Sequence, residues 1–320
     1  MTLGPKTQAF FEQLAAEAKA NPAPAFETIP LDDLRAATIA AFEKYAEPLP
    51  SGVREEDFVS SIIEELPCVT YTPSKYNSAN DATLIFFFGS AFVFDILRAH
   101  YSSFAKIANE SNCKIIAFHY PFAPEYKSQA INEAIFSAVN TVVANAEKLD
   151  INPKKIDVAG YSSGGNLAAQ LVYRYIKSGC FMPFRQLILI NPWLDFSFKI
   201  HNSNPFVDKQ NQDKLLTTEA LQYCASLYLE KNQDSSAPEV SSIFIEKKIL
   251  VQFPPVWIIS AEYDRLRGTA DYFARQLEKA GVLKEELIVP GQTHNFFISR
   301  AVLGDGVDPA LLIAERVRSG

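Results

Sequence analysis

A chain of 320 residues with 48% apolar content is long enough for one large core plus a smaller appendage. Its formal net charge of -7, with no basic cluster, argues against nucleic acid or an anionic membrane as the main partner. Cys68, Cys113, Cys180 and Cys224 lie far apart, with no C-x-x-C pair and no histidines at ligand spacing, so neither a zinc site nor a disulfide framework is expected.

In chain order, residues 5–46 carry two helical patterns, around Phe10, Phe11 and Leu14 and then around Leu31, Leu34, Ala41, Phe42 and Tyr45, separated by Pro22, Pro24 and Pro30. The first residues lack the apolar stretch of a secretion signal, and with the free thiols this points to a cytoplasmic setting. From Phe58 onward strands are expected at 58–63, 68–72, 83–88, 114–119, 156–160, 186–190, 256–260 and 286–290. Most alternate with helical stretches, the pattern of a largely parallel sheet covered on both faces; the first strands lack intervening helices and are expected to be antiparallel. The apolar run from Ala82 to Phe94 is too short to span a membrane and reads as a buried strand and turn. A long polar insertion after the sixth strand carries one amphipathic helix with Leu221, Cys224, Leu227 and Tyr228, as a lid would. The expected organisation is a helical cap segment over 1–50 and an α/β domain over 51–320 with a cap insertion at about 196–250.

Gly160-Tyr161-Ser162-Ser163-Gly164-Gly165 sits between the apolar run 156–159 and a helical pattern, so the chain reads strand, sharp turn, helix. Glycines two positions either side of Ser162 let the backbone fold tightly enough to present that serine at the tip of the turn. A helix starting there also aims free N–H groups at any oxyanion formed beside it. Such a serine needs an imidazole to take its proton and a carboxylate to orient the imidazole. Only His201 and His294 follow it; His201 lies in a polar stretch with no strand before it, whereas His294 follows Leu287-Ile288-Val289-Pro290 on a loop, and it is expected to be the base. His100 and His119 read as structural or solvent-facing. For the acid, the loop leaving the strand at 256–260 offers both Glu262 and Asp264, and the residues alone leave that choice open.

The sequence resembles the hormone-sensitive-lipase-like branch of the α/β hydrolases, esterases and lipases with a helical cap, from about residue 58 to the C-terminus. The family's GDSAGGNLA stands here as GYSSGGNLA, its YRLAPE as Tyr120-Pro121-Phe122-Ala123-Pro124-Glu125, its SPW-[VL]-D as Asn191-Pro192-Trp193-Leu194-Asp195 and its D-x-L as Asp264-Arg265-Leu266. The resemblance implies an α/β-hydrolase fold with a mostly parallel eight-stranded sheet, and it favours Asp264 as the acid. It implies oxyanion donors from the backbone of Ser90, Ala91 and Ser163. The family's HGGG loop, however, reads Phe88-Gly89-Ser90-Ala91-Phe92 here, a departure that removes a histidine and two glycines. A non-glycine residue forced to positive φ there costs on the order of 1–3 kcal/mol.

The expected function is a serine carboxylic ester hydrolase acting through an acyl-enzyme on short to medium acyl esters, with no metal or organic cofactor and a small-molecule ester as partner. A homodimer is left open. Phe88, Phe92 and Tyr161 are the expected pocket residues; Phe10, Phe11, Phe206 and Tyr223 read equally well as cap packing. Two alternatives stand beside this reading. One is a non-catalytic binding protein, as in the plant gibberellin receptors that look like capped esterases but lack the triad histidine; the other is an amidase or peptidase on the same scaffold.

Overall fold

A computed structural model describes residues 3–20, 28–64, 66–200 and 216–320. His201 and Phe206 lie outside the described residues. Eight strands form one sheet: β1 (Phe58–Ile63), β2 (Leu66–Tyr71), β3 (Thr83–Phe87), β4 (Lys114–Phe118), β5 (Ile156–Tyr161), β6 (Phe184–Ile190), β7 (Val256–Ala261) and β8 (Leu283–Val289). Their order is β1-β2-β4-β3-β5-β6-β7-β8. Pairings of β1 with β2 and of β2 with β4 are antiparallel, and all others are parallel. This is the largely parallel sheet that the apolar runs predict, with the eight strands and α/β-hydrolase order that the resemblance implies.

The helices are α1 (Pro5–Ala20), α2 (Leu31–Tyr45), α3 (Tyr101–Ser111), α4 (Ser128–Ala144), α5 (Ser163–Lys177), α6 (Thr218–Tyr228), α7 (Lys247–Leu250), α8 (Arg267–Ala280), α9 (Arg300–Leu303) and α10 (Pro309–Ser319). None of the described helices is long and apolar enough to cross a membrane. The path from β3 to β4 steps one way across the sheet, and the path from β4 to β5 steps back past β3. Right-handed crossovers therefore put α3 and α4 on opposite faces. The reversal leaves the carboxyl ends of β3 and β5 side by side, where an open α/β sheet forms its crevice.

Strands β3, β4 and β5 are buried along their whole length, and 12 of the 15 residues of α5 are buried against the sheet. Apolar surface removed from water stabilises by about 25 cal/mol per Å², so this buried layer contributes strongly to the core. Helix α1 packs elsewhere: Phe10 and Phe11 form a separate small cluster with Leu303. Helix α2 buries only Leu34, and is held to the body by Arg35, which donates to the carbonyls of Val93 and Ala123 and bidentately to Glu125.

Candidate active site

Three loops leave the carboxyl ends of β5, β7 and β8 and meet. After β5, Ser162 takes φ 56° and ψ -123°, off the ordinary allowed regions for a side-chain-bearing residue, and this sharp corner turns the chain straight into α5. The corner is possible because Gly164 lies under the end of β3: a Cβ on Gly164 would stand 2.0 Å from the Phe87 carbonyl oxygen. Gly164→Ala is therefore expected to cost on the order of 3 kcal/mol or more by overpacking. The check is a thermal melt, which should show a Tm several degrees below the parent; an unchanged Tm would mean the corner can relax.

After β7, Asp264 is fully buried and its Oδ2 lies 2.9 Å from His294 Nδ1. Its Oδ1 accepts from the Leu266 N–H at 2.8 Å, which fixes the carboxylate plane. An ionised carboxylate only accepts, so the proton sits on Nδ1 and the Nε2 lone pair faces outward. His294 Nε2 lies 2.9 Å from Ser162 Oγ. Hydroxyl, imidazole and carboxylate thus touch in series. Glu262, the other carboxylate in the loop, points away and accepts from the Gly291 N–H at 2.8 Å, anchoring the loop that carries His294.

Asn191 is a residue to which the sequence assigned no role. Its side chain donates to the His294 carbonyl at 2.7 Å and accepts from the Ala261 N–H at 2.8 Å, tying the base loop to the end of β7. The available signal was its place in the Asn-Pro-Trp segment that follows β6. Tyr161 adds a second tie: its hydroxyl reaches the same carbonyl at 3.0 Å, and its ring stacks on the His294 ring with centroids 5.3 Å apart.

A cavity of about 170 Å³ opens over Ser162. Thr38 and Phe42 of α2, Leu221 and Cys224 of α6, Phe94 and Tyr161 are among its lining, and among the described residues no Asp, Glu, Lys or Arg side chain joins them. Burial pushes the Cys224 thiol up to about 12, so it stays protonated and unreactive. Of the expected pocket aromatics only Tyr161 reaches the cavity. Phe88 is buried behind the loop, stacked on Tyr120 at 4.6 Å, and Phe92 is buried against Tyr228 at 3.7 Å and Trp193 at 6.0 Å. Both rings are drawn into aromatic packing, where they bury more area than a small cavity wall offers.

The loop after β3 crosses directly above Ser162. Ala91 and Phe92 hold φ of 48° and 63°, the left-handed region that favours glycine. The N–H of Ser163 opens α5 and has no acceptor inside the helix, and the Ala91 N–H has no partner among the described residues. The third donor expected there is already engaged: the Ser90 N–H donates to Ser163 Oγ at 3.0 Å.

Beneath the site, His100 is fully buried, and its Nδ1 donates to the Ile96 carbonyl at 3.0 Å while Nε2 has no partner. Burial lowers its pKa to about 4. The unfolded chain therefore binds the extra proton between about pH 6.5 and 4, and the fold loses stability as pH falls through that window. His100→Phe, which keeps a ring among Phe88, Phe104 and Phe297, is expected to flatten the decline in Tm between pH 6.5 and 4. Parallel slopes in the two proteins would contradict this.

Residues 84–298 match the Abhydrolase_3 family model, described as the alpha/beta hydrolase fold. An ethyl acetate hydrolase of Pseudomonas putida is 23% identical over 325 residues, covering 99% of both chains. An arylesterase of Saccharolobus solfataricus is 27% identical and covers 72% of this chain and 73% of its own. Among solved structures, a hyperthermophilic esterase from Pyrobaculum calidifontis superposes with a TM-score of 0.85 at 25% identity, covering 100% of this chain and 99% of its own. An ester hydrolase from the metagenome of Lake Arreo gives 0.88 at 22% identity, covering 99% of each chain.

Proposed function

Because the chain belongs to the alpha/beta hydrolase fold family, we propose that it is a serine carboxylic ester hydrolase working through an acyl-enzyme on short to medium acyl esters. The observation that carries this reading is the unbroken series Asp264, His294, Ser162 at 2.9 Å each. As the Ser162 oxygen attacks the ester carbonyl carbon, its proton passes to His294 Nε2, and Asp264 stabilises the imidazolium through Nδ1–H. Negative charge on the former carbonyl oxygen is met by the N–H groups of Ala91 and Ser163 and by the positive end of α5. The carbon–oxygen bond to the alcohol then breaks and Nε2–H protonates the leaving alcohol. Water, deprotonated by the same nitrogen, attacks the acyl carbon and releases the acid and free Ser162.

Helices α2 and α6, as parts of a cap, roof the cavity with apolar side chains, which suits an uncharged ester. The test is turnover of activated esters of increasing acyl length, run beside matched amides. Hydrolysis that declines with long chains and fails on the amides supports the reading; faster cleavage of amides would favour the amidase alternative. Binding without turnover would favour the receptor-like alternative, against which the complete triad argues.

A further inference from the structure

The loop above Ser162 has side chains where a glycine loop would have none, and three hydroxyls behind it are joined into one network. The Phe92 N–H donates to Ser90 Oγ at 3.0 Å, and Ser90 Oγ lies 2.9 Å from the Tyr120 hydroxyl. Tyr120 donates its proton to the Phe88 carbonyl at 2.5 Å, so towards Ser90 it can only accept. Ser163 Oγ takes the Ser90 N–H. The order of donation follows: Phe92 N–H to Ser90 Oγ, Ser90 N–H to Ser163 Oγ, the Ser90 hydroxyl to Tyr120, and Tyr120 to the Phe88 carbonyl. All three side chains are buried.

We propose that Ser90, Ser163 and Tyr120 form a hydroxyl clamp that positions the oxyanion loop, with Ser90 as its hub. This rests on the esterase reading and adds a device to it. The clamp grips the loop on both sides of Ala91, whose N–H must be aimed at the reacting oxygen while its backbone and that of Phe92 are held in left-handed conformations. Without the hydroxyls the loop would relax and swing that donor aside. The three are positioning residues. Their effect falls where charge develops on the carbonyl oxygen, so it shows in kcat and spares KM.

Two variants test the clamp, Ser90→Ala and Tyr120→Phe, which keep every backbone N–H and the Tyr120 ring stacked on Phe88. Each is expected to lower kcat about 10-fold or more with KM within about twofold. The double variant should fall no further than the worse single, because both break one chain of bonds. Undiminished kcat in both variants, a rise in KM alone, or additive losses would overturn the proposal. Amide hydrogen exchange over residues 88–94, a readout independent of turnover, should be faster in both variants than in the parent. If the parent hydrolysed no ester, the esterase reading would fall alone, and unchanged exchange in both variants would then dispose of the clamp.

Discussion

Ser162→Ala is expected to lower kcat/KM for a short-chain ester by roughly 10⁴-fold or more while leaving the fold intact. Removing one hydroxyl deletes the nucleophile but leaves the corner of the chain, the helix behind it and the oxyanion donors where they were. Fluorophosphonate should add covalently to the parent enzyme, and mass spectrometry should place the adduct on Ser162. The Cys224 thiol on the cavity wall does not compete, since burial holds it protonated. An adduct on any other residue, or a variant within tenfold of the parent, would refute the assignment.

Asp264→Asn should cost about 10⁴-fold in kcat, because an amide in that place can donate to Nδ1 and stabilise the wrong tautomer, turning the lone pair of His294 away from Ser162. Glu262→Gln keeps an acceptor for the Gly291 N–H but removes its charge, and the cost of the weaker bond is expected to appear in Tm rather than in kcat. The pair of variants separates two carboxylates that sit two positions apart in one loop. Comparable losses of kcat in both would show that the loop, and not one carboxylate, is what the imidazole needs.

Much of the fold was legible because parallel, doubly covered strands leave uninterrupted apolar runs, as in Leu84-Ile85-Phe86-Phe87. The edges were read less well. Strand β8 starts at Leu283, earlier than its apolar run, because Lys284, Glu285 and Glu286 are tolerated on an edge strand that faces water. Strand β2 begins at Leu66 although Pro67 follows at once, since an antiparallel partner near the sheet margin can do without that N–H. At the site, residue type and order named Ser162 and His294; chemistry alone left the acid open between Glu262 and Asp264, the resemblance of Asp264-Arg265-Leu266 to D-x-L favoured Asp264, and direction in space is what parts the two carboxylates. The engagement of the Ser90 N–H was illegible for the same reason: the acceptor lies 73 positions away. Phe88 and Phe92 were apolar beside a reactive serine, and nothing local to either signals that its ring turns inward.

The nucleophile and the loop above it grow from β5 and β3, adjacent strands at the middle of the sheet, whereas α2, which closes one side of the cavity, buries a single residue and is fastened largely by one arginine. Opening of a protein begins where burial is thin and reaches its sheet centre last. Local opening is therefore expected at α2 before it reaches the strands that carry the reacting atoms.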